Sequence, residues 1–167
     1  ATVSVKTNNL IDVYFYALNN GKIFDINFLD KYLYILNNNG LIKMNVETED
    51  YSILLNKKFE KIDIKNDNIV LMKNNNLYLL KNDYELELLV NYQRAQDFDI
   101  CNDYLWIHSH TDALIYNMKS NYKLEYDSSD GILLGKINRV ECDEDWVWFS
   151  TSNGISFYNW GKYHYEE

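Results

Sequence analysis

An all-β fold of the β-propeller type is predicted by three features: an apolar run that repeats, alternation at a period of two, and short polar links between the runs. Aligned on their central strands, the units read Tyr32-Leu33-Tyr34-Ile35, Asn68-Ile69-Val70-Leu71, Tyr104-Leu105-Trp106-Ile107 and Trp146-Val147-Trp148-Phe149, with offsets of 36, 36 and 42 residues. A period near 40 with four short strands per unit describes a propeller blade. No stretch of a dozen residues carries a helical stripe.

Each element follows from local pattern. Ahead of every central run lies an alternating apolar pair: Ile26 and Phe28, Ile62 and Ile64, Phe98 and Ile100, Val140 and Cys142. Residues two apart share one face of a sheet, so these are half-buried strands. The central runs are apolar at consecutive positions, which suits strands covered on both faces. Links such as Lys65-Asn66-Asp67, Cys101-Asn102-Asp103 and Asp143-Glu144-Asp145 supply the Asn and Asp that tolerate tight turns. Third strands start at Leu41, Leu77, Leu114 and Ile155. Outer strands follow as Tyr51–Leu55, Glu85–Val90 and Tyr122–Tyr126, alternating as a solvent-facing edge should.

The reading is a single domain, 1–167, with units at about 23–58, 59–94, 95–136 and 137–167. Residues 1–22, with Leu10–Tyr16 at outer-strand spacing, belong to a closing or a preceding blade. Two arrangements remain open: a four-bladed ring closed by that strand, with Tyr163–Glu167 as a short last strand, or a piece of a larger propeller.

Composition excludes several classes. The chain of 167 residues, 47% apolar, has no apolar span long enough to cross a bilayer as a helix, so membrane insertion is not expected. A net charge of −9 disfavours binding to nucleic-acid phosphate. No cofactor motif is present, and the runs Asn37–Asn39 and Asn74–Asn76 read as compositional bias. Cys142 takes the slot of Ile64 and Ile100 and is expected as a small buried residue, whereas Cys101 falls in a polar link. Their one-residue offset predicts side chains pointing apart, hence two thiols and no bridge.

Chemistry-bearing residues are few. His108 and His110 with Asp112 nearby could begin a metal site, but three ligands from one loop need a fourth from elsewhere, and no metal is expected. Ser150 and Thr151 lack the Gly-x-Ser-x-Gly elbow of a nucleophile, and no catalytic residue is assigned. Trp106, Trp146 and Trp148 are expected between blades, with Trp148 in the core. Trp160 and Tyr163, beyond the last recognisable strand, are expected to make a surface contact or to cap an open propeller end. The loops after the central strands must leave on one side of the propeller, which makes His108, His110, Asp112, Ser150, Thr151 and Asn153 candidate ligand-binding or partner-binding residues, joined by Trp160 and Tyr163.

The last unit, Asp143-Glu144-Asp145-Trp146-Val147-Trp148-Phe149-Ser150-Thr151-Ser152-Asn153-Gly154-Ile155-Ser156-Phe157-Tyr158-Asn159, resembles the propeller repeat of bacterial two-component regulators. That pattern runs from an acidic turn through an aromatic strand, Thr and a loop Gly to an apolar strand ending in Tyr-Asn. The third unit has Ala113 where the Gly should be, the first keeps Gly40 but has Tyr34 for Trp, and the second keeps only the apolar skeleton. The resemblance implies an extracytoplasmic, Bacteroidetes-like sensor or scaffold module. The expected function is thus a non-enzymatic binding module, periplasmic or extracellular, that recognises a protein or a small ligand. A carbohydrate-active or lyase-type propeller enzyme is one alternative, and a structural domain of a larger secreted assembly is another.

Overall fold

The structure is a computed structural model that describes Val3–Lys6, Asn9–Val13 and residues 22–164, giving only the backbone for the first two segments and for residues 163–164. Strands β1 (Val3–Lys6) and β2 (Asn9–Val13) pair with each other. Four antiparallel meanders follow: β3 (Ile23–Leu29) to β6 (Tyr51–Leu55) through β4 (Tyr32–Asn37) and β5 (Gly40–Asn45), then β7 (Lys61–Lys65) to β10 (Leu86–Asn91) through β8 (Asn68–Lys73) and β9 (Asn76–Leu80). The third comprises β11 (Asp97–Cys101), β12 (Tyr104–His108), β13 (Ala113–Asn117) and β14 (Lys123–Tyr126), and the fourth only β15 (Ile137–Asp143), β16 (Trp146–Thr151) and β17 (Gly154–Asn159). A helical turn, α1 (Gly161–His164), ends the described chain. The fold is all-β, as expected, with sheets of the propeller type.

Turn chemistry explains the links. Asp30, Asn66, Asp67, Asn102 and Glu144 hold positive φ between first and second strands, a region Asn and Asp enter cheaply. Gly40 sits at φ 151°, where a Cβ would run into the Leu55 carbonyl. Asn37, fully buried, caps its own loop by accepting from Asn39 N and Gly40 N.

The sheets stack in sequence, and register decides which residues meet. On each central strand one set of residues faces the next sheet and the other faces the previous one. Tyr34, Leu36 and Leu41 of the first sheet pack on Ile62, Ile64 and Leu71 of the second. Val70, Met72 and Leu77 of the second pack on Phe98, Ile100, Leu105 and Ile107 of the third. Trp106, Ala113 and Ile115 of the third pack on Val140, Cys142, Val147 and Phe149 of the fourth. The first strands β3, β7, β11 and β15 line one polar cavity.

Several expectations fail here, each for a local reason. Trp160 is fully buried, its ring edge-on to Tyr104 at 5.0 Å and to Trp106 at 6.4 Å. It anchors the chain end beneath the third sheet, so it is core and not surface. Trp146 is exposed and Trp148 half-buried, because both belong to the face of the fourth sheet that no further sheet covers among the described residues. Cys101 and Cys142 form a disulfide with Cα atoms 5.9 Å apart. Their offset of one residue brings them together, since consecutive sheets meet through opposite faces. Tyr163 lies in α1 and not in a fourth strand, and its side chain falls outside the described residues, as do 165–167. Of Leu10–Tyr16, the part described pairs with β1 and not with the last sheet, and Tyr14–Tyr16 lie outside the described residues.

Candidate functional site

Two places collect polar side chains. The first is the rim formed by loops after the central strands. In the third sheet, Ser109 N donates to Asp112 O at 2.8 Å, and Ser109 Oγ accepts from Thr111 N and Asp112 N while donating to Asp112 Oδ2. In the fourth, Thr151 Oγ1 donates to Gly154 O at 3.1 Å and accepts from Asn153 N. The segment 134–137 knits the two loops together: Ile137 N donates to His110 O, Ser152 N to Lys136 O, and Asn153 Nδ2 to Leu134 O. His110, Ser150 and Asn153 are exposed on this rim, and Asp112 is half-buried. His108 is not: it is fully buried, with Nδ1 2.7 Å from Ser109 O, and burial pushes its pKa down so that the ring stays neutral. The structure therefore brings six of the predicted residues to one rim, two of them, His108 and Thr151, buried beneath it. It sets Trp160 at the other end, where Gly161 N meets Asp145 O of the β15–β16 link. Among the described residues no group of three His, Cys, Asp or Glu is placed to hold a metal ion.

The second place is the cavity of about 190 Å³ on the axis, lined by Asp25, Asn27, Lys61, Asp63, Asp97, Asp99, Arg139 and Glu141 among others. A first strand pairs on one edge only, so its other edge presents backbone N–H groups that need acceptors. Carboxylates supply them across each boundary: Asp25 Oδ2 accepts from Ile62 N at 3.0 Å, Asp63 Oδ2 from Ile100 N at 2.8 Å, and Asp99 Oδ2 from Cys142 N at 2.6 Å. Asn27 Nδ2 donates to Asp63 Oδ1, and Lys61 pairs with Asp97 at 3.4 Å. Burial, with the neighbouring Asp63 charge adding to it, pushes the Asp99 carboxyl up to about 7 against the opposing Cys142 N–H and Lys65. Two carboxyls share a low-dielectric site here, and one of them holds a proton into the neutral range. The sequence carried this signal: the repeat offsets place Asn27, Asp63, Asp99 and Glu141 at one position, yet in single strands they read as ordinary solvent-facing residues.

No family model matches the chain, and a search of curated proteins finds no match to its sequence. Solved structures do match. The extracellular domain of a putative hybrid two-component system from B. thetaiotaomicron aligns with a TM-score of 0.62 at 17% identity, over 83% of this chain and 22% of that one. A chain of a nidogen/laminin complex aligns at 0.69 and 10% identity, over 94% and 69%. The computationally designed Ika4 protein aligns at 0.62 and 9%, over 83% and 91%. The chain thus spans about a fifth of the Bacteroides protein it matches. At these identities the likeness concerns the fold alone, and it is to propeller-type domains that this chain is similar.

Proposed function

We propose that the chain is a non-enzymatic binding or scaffold module of the propeller type, which recognises a protein or small ligand outside the cytoplasm of a bacterium. The observation that carries the binding reading is the rim, a preformed polar surface whose loops are tied by backbone hydrogen bonds across two sheets. The Ser109 and Thr151 hydroxyls bond to their own loops and so serve loop shape. Loops on a rigid scaffold commonly carry recognition, and His110, Asp112, Ser150 and Asn153 are the groups proposed to touch a partner, with Tyr163 as a further contact at the opposite end. The Cys101–Cys142 disulfide supports the location, because such bonds persist in oxidising compartments, and the Bacteroides domain described as extracellular is a fold relative.

Two measurements test this. Hydrogen exchange of the chain with and without cell-envelope protein and glycan fractions is expected to show protection within 108–112, 134–137 and 150–153. Protection confined to the Asp67, Asp103 and Asp145 side would reject the rim. Thiol trapping before lysis should find Cys101 and Cys142 unreactive, and full alkylation of both would reject the location.

A further inference from the structure

Between the first and second sheets, at the end of the strands away from the rim, the packing opens into a cavity of about 470 Å³. That lies within the range of small-molecule sites, roughly 300–1,000 Å³. Tyr34, Lys43 and Leu54 line it from the first sheet, and Ile69, Leu80 and, from the β9–β10 link, Tyr84 line it from the second. Both walls are four-stranded sheets of the described chain. Lys43 breaks the repeat here. It pairs with Tyr34, and the residues in the equivalent pairing of the later sheets are Leu79, Ile115 and Phe157. Leu79 packs at the boundary of the second and third sheets, and Ile115 is fully buried at the next. The first sheet thus sets a cation where the fold elsewhere uses an apolar side chain. Its Nζ lies 3.9 Å from the Tyr32 ring centroid and 5.6 Å from that of Tyr34, so the ring faces hold the charge in place. Among the described residues no carboxylate pairs with it. A half-buried ammonium without an anion leaves its desolvation uncompensated. Tyr34 is a second, independent sign. It is 4% exposed and lines the cavity, and its hydroxyl makes no hydrogen bond among the described residues although it is not sealed in protein.

We propose that this groove binds a small monocarboxylate with an apolar body. The carboxylate accepts from Lys43 Nζ and the Tyr34 hydroxyl, and the body lies against Leu54, Leu80 and the exposed Tyr84 ring. Charge sets the class. Lys81, also on the cavity, is already paired with Glu87 at 2.5 Å, so of the two lining lysines only Lys43 lacks an anion among the described residues. Asp67 lines the same cavity, is exposed and does not pair with Lys43, and its charge disfavours a dianion such as a phosphate ester. An ion held by a lysine and a tyrosine hydroxyl forms charge-assisted hydrogen bonds, stronger than those a neutral ligand makes. The apolar lining in turn favours a hydrocarbon body over a fully hydroxylated one. This site is separate from the rim, and neither reading depends on the other.

Titration of the isotope-labelled chain with phenylacetate and with hexanoate, followed by amide chemical shifts, tests it, with phenylethanol and hexanol as neutral counterparts. Saturable shifts are expected within 32–34, 43, 67–69 and 80–84, with a Kd on the order of 1 mM or tighter, the range open to a ligand of about ten non-hydrogen atoms. Lys43→Leu installs the residue type found at Leu79 and should stay folded, with a melting temperature unchanged or higher. Its affinity for both acids should fall roughly tenfold, while the alcohols should bind it no more weakly than they bind the wild type. Tyr34→Phe, which removes only the hydroxyl, should weaken the acids about threefold. The absence of saturable shifts with either acid overturns the proposal. A Kd that Lys43→Leu leaves unchanged also overturns it, and so do shifts confined to 108–112 and 150–153, which would assign the acids to the rim.

Discussion

Reduction of the Cys101–Cys142 bond is expected to destabilise the fold by about 4 kcal/mol. The bridge closes a loop with a sequence separation of 41, and in the chain-entropy account the unfolded state loses about 2.1 + 1.5R ln n cal/mol/K, which at n near 41 comes to about 4 kcal/mol at 25 °C. It also staples the third and fourth sheets at their inner strands, beside the Cys142 N–H that donates to Asp99. Urea unfolding followed by circular dichroism, with and without a phosphine reductant, reads the effect directly. With an m-value near 2 kcal/mol per molar, typical of small proteins, the midpoint should fall by roughly 2 M. The Cys101→Ala/Cys142→Ala variant should match the reduced protein and be insensitive to the reductant. Coincident oxidised and reduced curves, with the bond confirmed by mass, would refute the reasoning, since the unfolded chain would then gain nothing from release of the loop.

Three further outcomes follow from burial and charge. Asp99 has a folded pKa above its unfolded value, so its contribution is fully present below about pH 4 and is lost as pH rises through about 7. Asp99→Asn keeps an acceptor for Cys142 N and should flatten stability between about pH 4 and 7, an effect on the order of a few kcal/mol, while parallel pH profiles for the two proteins would count against it. Trp106→Ala should cost about 3–5 kcal/mol by cavity formation, whereas Trp148→Ala, on the open face, should cost well under half of that by thermal unfolding. Equal losses would place both rings in equivalent packing. His108→Ala should destabilise and His110→Ala should not, because only His108 is buried; comparable melting temperatures for the two would contradict that difference in environment.

The strands were legible because their causes are local. Alternation in Ile62-Asp63-Ile64 and Phe98-Asp99-Ile100, and the Asn and Asp links, encode strand and turn without reference to anything distant. What a central strand packs against is not local. Trp106 and Trp148 occupy the same repeat position, yet one is fully buried and the other half-buried, because the third sheet has a successor and the fourth, among the described residues, has none. The disulfide is not legible for a related reason. Parity along one strand sets Cys101 and Cys142 on different faces, whereas the contact lies between two sheets and joins a residue of one face to a residue of the opposite face. Trp160 could not be placed from sequence because no repeat position precedes it; its burial depends on α1 turning back so that Gly161 N meets Asp145 O.

The candidate rim and the axis differ in how much chemistry they leave unspent. Along the axis the acidic residues are consumed by architecture. Every boundary sets an unpaired first-strand edge against the previous sheet, and Asp25, Asp63 and Asp99 answer it with backbone hydrogen bonds of 3.0, 2.8 and 2.6 Å. Removing one acceptor would strand a part-buried N–H, at a cost on the order of 1–3 kcal/mol, so the fold alone gives these side chains a role. Burial at this boundary, with the Asp63 charge beside it, then raises the Asp99 pKa as a by-product, and a shifted carboxyl at this place needs no catalytic explanation. On the rim the opposite holds. The buried hydroxyls serve the loops and Asn153 Nδ2 bonds to Leu134 O, but the exposed His110 and Ser150 are not needed to shape the strands beneath them. The repeat that writes the fold therefore accounts for the axis, whereas the exposed His110 and Ser150 of the rim are not fixed by it.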